Sequence, residues 1–117
     1  MKKIYQLSTC KTCQRILAET GTDGFEVIDL KQQNISADDL ELAREKLGSY
    51  EALFNRRAIK YRKMGLHEKH LSDEDYRDLI LKEYTFLKRP LYIIGNEVFA
   101  GNSMAAVNGI KRAIGVE

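Results

Sequence analysis

Two cysteines stand close together in "STCKTCQRI" (8–16), and the chain has no others. Cys10 and Cys13 admit three chemistries: a metal clip, a structural disulfide, or a reactive thiol pair. A structural zinc site takes four ligands in most cases. The histidines on offer are His67 and His70, in "HEKH", with two residues between them rather than the three to five of a zinc motif. No metal is therefore expected. Two cysteines are too few for a disulfide framework. The reactive pair is favoured by its setting, because a CxxC between a strand and a helix in a β-α-β unit is a redox signal.

The chain as a whole agrees with that setting. At 117 residues it reads as one domain, residues 1–117, large enough to bury an ordinary core. Apolar residues make up 44% and charged ones 31%, as in soluble globular proteins. A net charge of +2 is too small to imply a nucleic-acid or membrane partner. The start, "MKKIYQLSTCK", has a basic pair but no apolar run of signal-peptide length. No stretch approaches the ~20 apolar residues of a membrane span. A cytoplasmic location is expected, where thiols are kept reduced.

The elements that must position the cysteines follow from periodicity. "KKIYQL" (2–7) is short, apolar-rich and followed by Ser-Thr, and reads as a strand. Cys13, Ile16, Leu17 and Thr20 recur at helical spacing until Gly21 stops the pattern. "FEVIDL" (25–30) is β-rich, which completes β-α-β and predicts a parallel strand pair. A helical middle section, about 36–85, comes next. "SADDLELAREKLG" (36–48) and "SDEDYRDLILKEY" (72–84) each open on a capping-box pattern, Ser36 with Asp39 and Ser72 with Asp75. "ALFNRRAIKYRKMGL" (52–66) reads as a basic helix between them. "LYII" (91–94), "GN" and "EVFA" (97–100) predict a hairpin with a type II′ turn. "NSMAAVNGIKRAIG" (102–115) predicts a last helix with Met104, Val107, Ile110 and Ile114 inward; Gly109 within it costs about 1 kcal/mol relative to Ala. The order β-α-β, helical insertion, β-β-α predicts an α/β, thioredoxin-like fold: a four-stranded mixed sheet flanked by helices.

This order puts Cys10 in the turn before the first helix and Cys13 in the helix's first turn. The helix start offers unpaired N–H groups and about half a positive charge. Both favour a thiolate at Cys10, and Lys11 adds a cation. A cysteine so placed can fall from ~8.5 into the range ~3.5–7.5. Cys13, more buried, is placed to resolve a mixed disulfide on Cys10. Pro90, the chain's single proline, directly precedes the third strand in "KRPLYII". A thioredoxin-like fold has a cis proline there, facing the cysteine loop. That analogy predicts a cis Arg89–Pro90 bond with Arg89 beside Cys10.

"STCKTCQRI", "LFNRRAIKYRKMGL" and "KRPLYII" together resemble the ArsC/Spx family, the arsenate-reductase-like branch of the thioredoxin fold, over essentially the whole chain. In arsenate reductases of this kind a loop cysteine attacks arsenate, arginines hold the oxyanion, and glutathione with a glutaredoxin completes the reduction to arsenite. The resemblance implies that Cys10 is the attacking cysteine and Arg89 one anion-holding arginine. The middle-section arginine matches Arg56 or Arg57, with Arg57 the better fit. An oxyanion beside a thiolate brings like charges together, so guanidinium forks must offset them. The backbone at Lys11, Thr12 and Cys13 adds donors.

Two departures qualify the match. The family's reductases carry a further arginine in the fourth-strand region, whereas "EVFAGNSM" has none and Asn102 is the nearest polar substitute. They also have one loop cysteine, whereas this chain has Cys13 as well. A CxxC is shared with Spx-type regulators, which bind the RNA polymerase α-subunit and sense oxidation through the pair. The expectation is thus a thiol oxidoreductase acting on arsenate, another oxyanion or a disulfide. It would hold no bound cofactor, and glutathione, glutaredoxin or thioredoxin would be its reductant. An Spx-like redox regulator is the alternative.

Overall fold

The computed structural model describes residues 1–116, which form two compact units. The first is built from Met1–Gln33 together with the chain from Arg89 onward; the second is Asn34–Lys88.

The first unit holds the sheet. Strands β1 (Lys2–Gln6), β2 (Glu26–Asp29), β3 (Leu91–Ile94) and β4 (Glu97–Ala100) lie in the order β2-β1-β3-β4. β1 pairs parallel with β2, Ile4 opposite Val27, and antiparallel with β3, Ile4 opposite Tyr92. β3 and β4 form the hairpin, Ile94 opposite Glu97. Gly95 takes φ +60° and Asn96 has no positive φ, the pattern that a type II′ turn requires. All four residues of β3 are buried, which explains why that strand reads as a continuous apolar run instead of an alternating one.

Helix α1 (Lys11–Thr20) closes the crossover between β1 and β2, and α5 (Met104–Ile114) follows β4. Their apolar stripes meet in one core of Ile4, Ile16, Tyr92, Ile94 and Ile110, with Leu17, Phe25, Phe99 and Val107 packed against it. Burying each such side chain contributes about 1.5–3 kcal/mol. The inward stripe of α5 begins later than the spacing predicts: Met104 is 80% exposed. Ser103 caps the helix through Ala106 N–H, so Met104 occupies the first helical position, beyond the edge of the core. Gly109 has a packing reason to be glycine. A Cβ there would stand 2.5 Å from Cε1 of Phe99, so its absence lets α5 lie close on β4.

The second unit is helical. α2 (Ala37–Leu47) is capped by Ser36, which accepts from Asp39 N–H, and ended by Gly48 in the left-handed region. α4 (Asp73–Lys82) carries the full capping box of Ser72 and Asp75. Between them the expected helix over 52–66 is broken. A 3-10 turn spans Glu51–Leu53, α3 covers only Ile59–Lys63, and a second 3-10 turn spans Leu66–Glu68. The cause is tertiary. Phe54 is extended and bridges Leu87, flanked by bonds from Lys88 N–H to Leu53 O (2.8 Å) and Asn55 N–H to Phe86 O (2.7 Å). The Asn55 side chain then takes the N–H of Arg57 at 3.1 Å, a local bond that competes with helix. Phe54 stacks on Phe86, centroids 5.0 Å apart, and meets Tyr76 edge-on at 4.9 Å.

Candidate active site

β1 runs out at Gln6, and a tight turn carries the chain into α1. Cys10 N–H closes that turn on Leu7 O at 2.9 Å. Cys10 then serves as the N-cap of α1, with extended backbone (φ −93°, ψ 107°). Its sulfur takes the place that a serine or aspartate oxygen usually fills, accepting the N–H of Cys13 at 3.3 Å. The first helical bond runs from Gln14 N–H to Cys10 O at 3.1 Å. Cys13 is fully buried on the face it shares with Ile16 and Thr20, while Cys10 remains partly exposed. Both are free thiols.

The two sulfurs have opposite acid strengths. Partial burial works against a thiolate at Cys10. The thiol and backbone N–H of Cys13 and the guanidinium of Arg89 outweigh it and bring the pKa below its usual value. Burial and the hydrogen bond to Cys10 push Cys13 up to about 12. One sulfur is thus prepared to ionise and attack, while the other keeps its proton.

Arg89 reaches Cys10 from the far side of the sheet's sequence. It sits directly before β3, half-buried, and its bond to the buried Pro90 is cis. Pro90 O accepts Gly101 N–H at 3.0 Å, which joins this corner to the end of β4. Lys11 and Thr12 are the first two residues of α1, exposed and half-buried respectively. Cys10, Cys13, Arg89, Lys11 and Thr12 therefore all belong to the sheet unit. Asn102, exposed, follows β4 in the same unit.

Arg56 and Arg57 belong to the helical unit. The Arg56 guanidinium is engaged there, bonding Glu51 at 2.5 Å and the Tyr76 hydroxyl at 2.9 Å and lying over the Tyr76 ring. Arg57 is exposed.

Three polar residues around the cysteine turn were not singled out by the sequence reading. Gln14 Nε2 donates to Gln6 Oε1 at 2.7 Å and to Leu7 O at 3.1 Å, tying α1 to the end of β1. Asp29, the last residue of β2, accepts Lys31 N–H at 3.1 Å, and nearby Ser8 and this N–H hold its carboxyl below the usual value. Gln6 had a signal: it is a polar residue inside the buried run Ile4–Leu7. Gln14 and Asp29 had none, since their partners are set by the fold.

A mixed sheet of this order, with α1 and α5 on one core and a cysteine pair at the head of α1, defines a thioredoxin-like α/β protein. The chain belongs to the ArsC family, whose model matches residues 5–110. It is similar to YusI of Bacillus subtilis (strain 168), 32% identical over 96 residues that make up 80% of each chain. Among solved structures it resembles a possible arsenate reductase of Streptococcus mutans, with TM-score 0.74 and 25% identity over 95% of this chain and 98% of that one. It also resembles the arsenate reductase of Vibrio cholerae, with TM-score 0.75 and 18% identity over 99% of this chain and 97% of that one. At 18% identity the second likeness is one of fold. Among the described residues no helix is long and apolar enough to cross a membrane.

Proposed function

We propose that the chain is a thiol oxidoreductase of the arsenate-reductase kind, working in the reducing cytoplasm. The observation that carries this reading is the Cys10 sulfur at the N-cap of α1, met by the N–H and thiol of Cys13 and by Arg89. A thiolate there attacks the arsenic of arsenate. A Cys10–sulfur–arsenic bond forms, and one arsenic–oxygen bond breaks, the departing hydroxyl leaving as water with a proton taken from solvent. The guanidinium of Arg89 and the donors at Lys11 and Thr12 offset the oxyanion's charge. The family resemblance offers Arg57 as a second cation for the oxyanion, since Arg56 is engaged with Glu51 and Tyr76.

Cys13 resolves the adduct. Once Cys10 is bonded to arsenic its negative charge is gone, and with it part of what holds the proton on Cys13. Cys13 sulfur attacks Cys10 sulfur, and the sulfur–arsenic bond breaks. Its electron pair leaves with arsenic as arsenite, and the proton of Cys13 passes to an arsenite oxygen. The two thiols have supplied the two electrons and end as a Cys10–Cys13 disulfide. A dithiol reductant of the glutaredoxin or thioredoxin class returns them to thiols by exchange. The same geometry serves a disulfide substrate such as a glutathione mixed disulfide, with sulfur in place of arsenic.

The test is steady-state arsenate reduction by wild type and Cys10→Ser, with NADPH oxidation coupled through glutathione–glutaredoxin and, separately, through thioredoxin. Turnover that vanishes in Cys10→Ser is expected. Wild type without turnover in both systems overturns the arsenate assignment. In that event, capture of the RNA polymerase α-subunit at micromolar concentration would favour an Spx-like regulator.

A further inference from the structure

Gln14 holds the turn that delivers Cys10 at both of its ends. Its backbone N–H donates to Cys10 O at 3.1 Å, the first bond of α1. Its side-chain amide donates to Leu7 O at 3.1 Å. That carbonyl is the one on which Cys10 N–H closes the turn at 2.9 Å, so both of its lone pairs are used. The amide also donates to Gln6 Oε1 at 2.7 Å. Both hydrogens of the Gln14 amide thus go to the two residues that lead into the turn.

The strand side of this bridge is firmly held. Gln6 is the last residue of β1 and is buried, at 7% exposure. Its carbonyl accepts Leu30 N–H at 2.7 Å, which ties it to the end of β2. Gln14, by contrast, is exposed on α1, where water alone would satisfy its side chain. Its amide instead turns back and joins the helix to the strand end, with the whole Leu7–Cys10 turn enclosed between the two. Inside that closed loop the Cys10 sulfur accepts Cys13 N–H at 3.3 Å. The length of that contact depends on how the turn sits against the helix.

We propose that Gln14 is a positioning residue for Cys10: by bridging Gln6 and the Leu7 carbonyl it holds the Leu7–Cys10 turn in the shape that places the Cys10 sulfur on the N–H of Cys13. This rests on Cys10 being the reactive thiol of the proposed function, but not on which substrate it attacks. Gln14 is neutral, so its replacement by another neutral residue changes no charge near Cys10. What the thiolate loses is geometry: the turn relaxes, the N–H of Cys13 leaves the sulfur, and the charged form is favoured less. A bond that served the fold alone would change stability and leave the acidity of Cys10 where it was.

The test is the pH profile of iodoacetamide alkylation of Cys10, mapped by peptide mass, in wild type, Gln14→Leu, Gln6→Leu and the double variant, each confirmed folded by circular dichroism. Leucine is close to glutamine in size and helix propensity but donates nothing. Gln14→Leu is expected to move the midpoint up and to slow alkylation at a fixed pH below it by about threefold or more. Gln6→Leu, which leaves the bond to Leu7 O in place, shifts the midpoint the same way by less. In the Gln14→Leu background it adds nothing, because the two residues act as one bridge. A midpoint that stays or falls in Gln14→Leu overturns the proposal, as does a Gln6→Leu effect that is the same with and without the Gln14 amide. If Gln14→Leu does not fold, Gln6→Leu decides alone: an upward shift supports the role and no shift overturns it. Alkylation reads Cys10 itself. An upward shift in a protein without arsenate turnover thus leaves Gln14's role standing while rejecting the arsenate assignment.

Discussion

Cys13 donates its backbone N–H to the sulfur of Cys10 at 3.3 Å, and the two neighbouring thiols are pushed apart in acid strength. The arrangement makes stability depend on pH in two directions. Cys10 is a stronger acid folded than its usual value of 9.0, so between its folded pKa and 9 the unfolded chain binds more protons and stability rises with pH. Cys13 is a weaker acid folded, at about 12 against 9.0. Above 9 the folded state binds more protons, and stability falls. Urea midpoints measured from pH 6 to 10 should therefore pass through a maximum near 9. Cys10→Ser should lose the rising limb and Cys13→Ser the falling one. A wild-type midpoint that is flat across this range contradicts the asymmetry.

Arg89 is the cation that reaches Cys10. Arg89→Gln should move the iodoacetamide midpoint of Cys10 upward and slow alkylation at neutral pH by about threefold or more. The difference between wild type and variant should shrink as salt is raised, because the lost interaction is partly coulombic and partly exposed. An unchanged profile at low salt would show that Cys13 alone lowers the pKa.

Gly109→Ala sets two effects against each other. Alanine gains about 1 kcal/mol of helix propensity. It also places a methyl 2.5 Å from the Phe99 ring, and overpacking of that kind costs about 1–3 kcal/mol. A net loss of about 1 kcal/mol is expected in urea unfolding. In a Phe99→Leu background, where the ring edge is gone, the same alanine should be neutral or stabilising. Equal effects in both backgrounds would show that the ring is not what glycine accommodates.

Arg56 and Arg57, neighbours in sequence, should separate by experiment. Arg56→Ala should lower stability by about 0.5–1.5 kcal/mol through loss of its bonds to Glu51 and Tyr76. It should leave Cys10 alkylation unchanged. Arg57→Ala should change stability by less than about 0.5 kcal/mol. It should instead weaken the protection that arsenate gives Cys10 against iodoacetamide. If the protection is lost in Arg56→Ala and kept in Arg57→Ala, the assignment reverses.

The sheet, the hairpin and the capped helices were legible because local signals specify them: Ser caps, glycine stops, a two-residue turn and a clean change of period at Leu91. The cysteine pair was legible for the same reason, since its place at a helix start needs only the strand before it and the periodicity after it. The segment 52–66 misled because its helical composition is overruled at Phe54 by pairing with Leu87, thirty-three positions away. Met104 misled because spacing shows which side a residue is on but not where the core ends. Gln14 was invisible because its partners, Gln6 and Leu7, lie at the end of the strand before it.

The sheet's central pairing has a consequence for synthesis. β1 lies between β2 and β3, yet Lys2 pairs with Ile94, which is made only after the whole helical unit. While the chain leaves the ribosome, β1 and β2 can pair but one side of β1 stays open. An open, apolar strand edge is a template for pairing with other chains. Lys2 and Lys3, at the head of that strand, bring positive charge to the exposed edge and oppose such pairing until β3 arrives.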